Sequence, residues 1–216
     1  MIKACIFDLD GTLLNTLVSI HYYLNGTLER HGVGSITLEE CRTFVGNGAW
    51  DLVGRALMHL EISDEAVRRA VYEDYSAAYN AEPYYLTEIY HGITELLTSL
   101  SKRGILLGVL SNKQQGATEP LVRGFFGDTF SLVYGGREGV PLKPDPTVLR
   151  QMLDDLGVRA DELMYVGDSG VDMKTGRNIR AGHTVGVLWG YRDKNELLSC
   201  GADVLISDPK EILNLL

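Results

Sequence analysis

The sequence predicts a doubly wound α/β fold, a parallel sheet flanked by helices, with a helical domain inserted early in the chain. Three observations carry this. Six short apolar runs lack the alternation of a half-solvated strand, as expected for parallel strands covered on both faces. Amphipathic stretches of helical period separate most of them, the pattern of strand–helix–strand crossovers. Residues 10–104 divide the first run from the second, far more chain than one crossover needs.

In chain order the runs are Ile2–Leu9, Ile105–Leu110, Leu132–Tyr134, Leu163–Val166, Thr184–Leu188 and Val204–Ile206. Ile93, Leu96, Leu97 and Leu100 recur at i, i+3, i+4, i+7, and so do Leu149, Met152, Leu153 and Leu156. The long gap holds three further stripes: Leu14, Leu17, Val18, Leu24 and Leu28; Trp50, Val53, Leu57 and Leu60; and Val67, Ala70, Val71, Tyr75 and Ala78. Thr37 and Glu40 have the spacing of a capping box at a helix start. The expected division is an α/β core over residues 1–13 and 86–216 and a helical domain over 14–85. Chain crossings near Leu14 and Leu86 would form a hinge.

Apolar residues make up 45% of the 216, ample for a buried core. A net charge of -9 disfavours nucleic acid and anionic membranes as partners. It leaves room for a small anionic substrate, because a bound metal ion reverses the field locally. Cys5, Cys41 and Cys200 are odd in number and widely spaced, which reads as a reduced protein without a disulfide framework. Asp8 and Asp10 interrupt the only apolar run near the N-terminus, so a secretory leader is not expected. No run approaches the roughly 18 residues of a membrane span. The expected location is the cytoplasm, and monomer and dimer stay equally open. The five histidines show no metal-ligand spacing.

Four segments carry potential chemistry, each beyond a predicted strand, at the edge where open α/β sheets bind ligands. In Asp8-Leu9-Asp10-Gly11-Thr12, two carboxylates two residues apart repel one another unless a cation joins them. Gly11 permits a sharp turn. In Ser111-Asn112-Lys113 a hydroxyl can meet a phosphate oxygen. In Lys143-Pro144-Asp145-Pro146 the prolines restrain the backbone that presents the Lys143 ammonium. In Gly167-Asp168-Ser169-Gly170-Val171-Asp172 two more acids follow a strand, and oxygen-only ligands suit Mg²⁺. Taken singly, each has a plain reading as an Asx turn, a helix cap or a solvated loop.

In combination and in this order, the segments resemble the motifs of the haloacid dehalogenase superfamily of phosphohydrolases, over nearly the whole chain. The resemblance implies that Asp8 attacks phosphorus and forms an aspartyl-phosphate. Asp10 would protonate the leaving oxygen and then activate water. Asp8, Asp168 and the Asp10 backbone carbonyl would hold Mg²⁺, with Asp172 supporting. Ser111, Asn112 and Lys143 would bind the phosphoryl group, and Thr12 would orient the acid/base region. The helical insertion lies where the family places a mobile cap.

Asp10 and the metal set argue against dehalogenation. Residues 14–85 contain no lysine, which removes the Schiff-base chemistry of phosphonate hydrolysis. The cap segment around Gly46-Asn47-Gly48 and Arg55 is similar to that of phosphoglycolate phosphatases, which makes phosphoglycolate the first substrate expectation. Its turn could present N–H groups, and Arg55 a charge, to a substrate anion. Mutases, pyrophosphatases, nucleotidases and sugar phosphatases share the four motifs. A phospho-accepting binding module is the non-enzymatic alternative. Asn15-Thr16 stands where the family usually has an acid, which bears on cap closure and substrate preference.

Overall fold

The computed structural model describes residues 1–216. Strand β1 (Ala4–Phe7) leads through β2 (Leu14–Asn15) into four helices, α1 (Leu17–Arg30), α2 (Leu38–Phe44), α3 (Ala49–His59) and α4 (Glu65–Ala81). The chain returns through β3 (Glu88–Ile89) and α5 (Ile93–Lys102), then alternates: β4 (Leu106–Gln114), α6 (Gln115–Phe126), β5 (Leu132–Gly136), α7 (Thr147–Leu156), β6 (Leu163–Gly167), α8 (Gly170–Ile179), β7 (His183–Val187), α9 (Lys194–Ser199) and β8 (Val204–Ile206). Six strands form one sheet in the order β5-β4-β1-β6-β7-β8, parallel throughout. All six predicted strands are in it, with shifted ends. No helix is long and apolar enough to cross a membrane.

The absence of alternation in β1 has a direct cause. Successive strand residues point to opposite faces, and here both faces are covered. Cys5 and Phe7 pack with Leu96, Leu97 and Leu100 of α5, whereas Ala4 and Ile6 pack with Leu149, Met152 and Leu153 of α7. The two leucine stripes read from the sequence are therefore the helical layers on either side of the central strand.

The helices α1 to α4 are an insertion between β2 and β3, which pair antiparallel through Leu14↔Ile89 and Asn15↔Glu88. The expected crossing points thus lie side by side as a two-stranded ribbon. Two-residue strands leave no periodic trace, so the ribbon itself was not predicted. The capping box forms as expected, with Glu40 N–H on Thr37 Oγ1 and Thr37 N–H on Glu40 Oε2. Val18 departs from expectation and is 41% exposed. Leu17, Ile20, Leu24 and Leu28 form the buried stripe of α1, and Val18 lies about 100° round the helix from Leu17.

Strand β4 also runs four residues past its predicted end. Its pairing with β5 breaks register after Leu110 and resumes at Gln114↔Gly136. Ser111, Asn112 and Lys113 consequently lie on an irregular strand, a device that re-aims side chains near functional sites.

Leu96→Ala should lower unfolding stability by about 2–5 kcal/mol, because Leu96 is fully enclosed between α5 and the sheet. Val18→Ala should change it by less than about 0.5 kcal/mol. Urea denaturation of both variants checks the contrast.

Candidate active site

All six parallel strands end on the same edge, and the four sequence segments converge there. Asp8 extends β1, its N–H donating to Val166 O. The turn after Asp10 needs Gly11, which has φ +84° and lies so close to the Asp168 carboxylate that a Cβ would overlap it. Asp168 directly follows β6, and Asp172 occupies the third position of α8. Ser169 caps that helix: its Oγ donates to Asp172 Oδ2 at 2.6 Å and its N–H at 3.1 Å.

Asp8, Asp168 and Asp172 are 8%, 2% and 0% exposed. One oxygen of each lies within 4.8 Å of the others. Lys143 Nζ reaches into the group, 2.7 Å from Asp8 Oδ1 and 2.8 Å from Asp172 Oδ1. It leaves Asp8 Oδ2 without a protein partner. Burial, then the Asp172 charge, pushes the Asp8 carboxyl up to about 7, against the pull of Lys143. Burial and the charges of Asp172 and Asp8 hold Asp168 well above the usual carboxylate range. Burial disfavours the Lys143 ammonium, but Asp172 and Asp8 outweigh it, and its pKa is well above that of an ordinary lysine. Three buried carboxylates against one ammonium leave an excess of negative charge. That deficit and the all-oxygen donor set fit a divalent cation.

Asp10 stands apart from this triad. Lys113 Nζ donates to both of its oxygens at 3.0 Å, and Thr16 Oγ1 donates to Oδ1 at 2.6 Å. The Tyr191 hydroxyl contacts Thr16 Oγ1 at 3.1 Å and accepts from Thr16 N–H. Thr16 rather than Thr12 therefore orients Asp10. The buried Thr12 hydroxyl bonds Asp168 Oδ1 at 3.4 Å, and Tyr191 N–H donates to Asp168 Oδ2 at 2.7 Å. Lys113, Thr16 and Tyr191 were not among the predicted site residues. For Lys113 a signal existed: on a strand continued past Leu110 it shares a face with Ser111.

Ser111 lines a cavity of about 60 Å³ between the sheet edge and the insertion, together with Asp8, Asp10 and Lys143. Asn112 is committed to backbone partners. Its Nδ2 donates to Gly46 O and Lys143 O, and its Oδ1 accepts from Lys143 N–H. It fixes the loop that presents Lys143 and holds the insertion's turn against the core. Gly46 and Gly48 line the same cavity, with φ +124° and +89°. A Cβ on Gly48 would sit 3.3 Å from Asn112 O. Asn47 is half-buried and does not line the cavity.

Arg55 does not reach the site either. Its guanidinium donates to Phe44 O at 3.4 Å, and the residue lines a separate hollow beside Asp51 and Arg68. The C-terminal carbonyls of α2 attract cations, which accounts for that position. The same carbonyls draw Arg192 from the core. It donates to Arg42 O and Val45 O at 2.6 Å and to Thr43 O at 3.3 Å, tying α2 to the loop after β7. In that loop Trp189 Nε1 donates to Thr12 O. Gly190 packs against Asp168, where a Cβ would come 2.6 Å from Oδ2.

The raised Asp8 carboxyl sets a pH-dependent cost. The unfolded chain ionises Asp8 at its ordinary value of 3.8, whereas the fold holds the proton to about 7. Ionised Asp8 therefore opposes folding increasingly across that interval, and fully above it. In metal-free protein, Asp8→Asn should raise Tm at about pH 8, with the gain vanishing below about pH 4. Thermal melts across pH check this; a pH-independent gain would contradict it.

Comparison with known proteins agrees with this geometry. The family of haloacid dehalogenase-like hydrolases matches residues 5–186. A phosphoglycolate phosphatase of Rhodospirillum rubrum is 37% identical over 96% of this chain and 88% of its own. One from Pectobacterium atrosepticum is 30% identical over 100% of this chain and 92% of its own. The crystal structure of a predicted phosphoglycolate phosphatase from Haemophilus somnus superposes with a TM-score of 0.91 at 25% identity, covering 99% of this chain and 97% of that one. With the parallel sheet, the helical insertion and the buried aspartate triad, these matches place the chain in the haloacid dehalogenase-like hydrolase family.

Proposed function

We propose that this hydrolase is a Mg²⁺-dependent phosphomonoesterase acting through Asp8, with phosphoglycolate as the first substrate to test. The observation that carries the reading is the division of labour between two acids. Asp8 lies in the buried triad with Oδ2 unpartnered, while Asp10 is held beside it by Lys113 and Thr16.

Asp8 attacks phosphorus as the ester P–O bond breaks, and Asp10 gives its proton to the departing oxygen. The now ionised Asp10 takes a proton from water as that water attacks the aspartyl-phosphate. The P–O bond to Asp8 breaks, inorganic phosphate leaves, and both acids return to their starting states. Ser111 and Lys143 bind the phosphoryl oxygens, and Lys143 offsets charge around Asp8. Asp8 and Asp168 with the Asp10 carbonyl would hold Mg²⁺, and Asp172 would support them through Lys143 and Ser169. The ion supplies charge neutralisation for the phosphoryl oxygens when bound.

Asn112 and Thr12 act as positioning residues, Asn112 on the Lys143 loop and Thr12 on Asp168. Residues 14–85 are assigned as a cap that moves on the β2–β3 ribbon, closing the cavity through Arg192 and the Gly46–Gly48 turn. Relatives named as phosphoglycolate phosphatases along nearly the whole chain support the substrate choice.

Phosphate release should require Mg²⁺ and stop in EDTA. Phosphoglycolate should lead a panel of pyrophosphate, sugar phosphates, nucleotides and an aryl phosphate. Asp8→Asn should lower kcat by about 10⁴-fold or more. Full activity in EDTA or in that variant would overturn the mechanism.

A further inference from the structure

Lys113 and Tyr79 take no part in holding the metal or the phosphoryl group, yet both line the cavity on the Asp10 side. We propose that Lys113 Nζ and the Tyr79 hydroxyl form a subsite that reads a carboxylate one carbon beyond the leaving oxygen. The proposal rests on the phosphomonoesterase reading above and names the group by which that site selects its substrate.

Three cations line the cavity, and two of them are spent. Lys143 is shared by Asp8 and Asp172, and Arg192 by three carbonyls of the cap. Lys113 donates to the two oxygens of Asp10, and an ammonium has a third donor. It also lies 4.3 Å over the Tyr79 ring. Tyr79 is 3% exposed, and its hydroxyl meets no group in hydrogen-bond geometry although Lys113 and Ser19 lie close by. A buried hydroxyl without a partner is costly and marks a place where an acceptor belongs.

Asp10 contacts the leaving oxygen, so Lys113 beside it faces whatever that oxygen carries. A carboxylate there accepts from both Lys113 and Tyr79. It also supplies the buried ammonium with a counter-ion while Asp10 carries the proton for the leaving group. The cavity of about 60 Å³ accommodates a tail of a few heavy atoms.

The test compares kcat/KM for phosphoglycolate and for ethyl phosphate, which replaces the carboxylate by a methyl group. Wild type should strongly prefer phosphoglycolate. Lys113→Met should lower phosphoglycolate turnover about 100-fold more than ethyl phosphate turnover, Tyr79→Phe should do so about 5-fold, and Lys113→Arg should restore most of the preference. Equal losses on both esters in Lys113→Met, or a Tyr79→Phe enzyme with unchanged preference, would overturn the subsite and leave the phosphatase reading intact, Lys113 then only positioning Asp10. A change of preference seen with pyrophosphate and not with phosphoglycolate would assign the pair to a second phosphate and overturn the carboxylate. A wild-type enzyme that hydrolyses both esters without preference overturns the phosphoglycolate choice and the subsite together. One that hydrolyses neither overturns the phosphomonoesterase reading itself.

Discussion

The Lys143 ammonium, shared between Asp8 and Asp172, is the interaction on which the sheet edge depends. Without it three carboxylates would be buried within 4.8 Å of one another with no cation among them. Burial raises the pKa of acids and lowers that of lysines, yet here the lysine is held charged because two of the acids surround it. Removing Lys143 from this group would cost far more than the ion pairs contribute, since the buried acids would be left without a counter-charge. The neighbouring structure keeps Lys143 in place. Asn112 grips its backbone from both sides, and Ser169 binds the Asp172 oxygen that Lys143 does not. One net negative region is left over, and its oxygen donors fit a divalent cation.

A second constraint ties the insertion to this edge. Helix α2 ends above the site with carbonyls that have no partner within the helix. Arg55 from the insertion and Arg192 from the core both donate to them. Gly48 lets the cap backbone approach Asn112 closely, and Asn112 donates to Gly46 O. The same side chain thus connects the Lys143 loop to the insertion. One amide bonds both the turn of the insertion and the backbone that places the ammonium.

Much of this was legible in the chain. Short apolar runs separated by leucine stripes disclosed the parallel sheet, because both faces of each strand are covered and the covering helices must be amphipathic. Asp8, Asp10, Ser111 and Asp168 announced themselves as polar residues where such strands end, Lys143 by its flanking proline, and Asp172 by its place four residues after Asp168. The β2–β3 ribbon was hidden because two residues carry no period. The extension of β4 through Ser111 and Lys113 was hidden by its broken register. Tyr191 and Arg192 were hidden because their partners are far away in sequence, and Thr16, six residues from Asp10, because a hydroxyl is ordinary on any surface.

The sequence by itself determined the order of strands and helices, the size of the insertion and the identity of the charged groups at the sheet edge. Those properties follow from local periodicity and from residue chemistry, which are written along the chain. Only the tertiary structure decided that Lys143 stands between Asp8 and Asp172, that Lys113 and Thr16 hold Asp10, and that Arg55 points to Phe44 rather than the cavity. Each of these is a choice among several available partners, settled by distance and burial after the layers have packed.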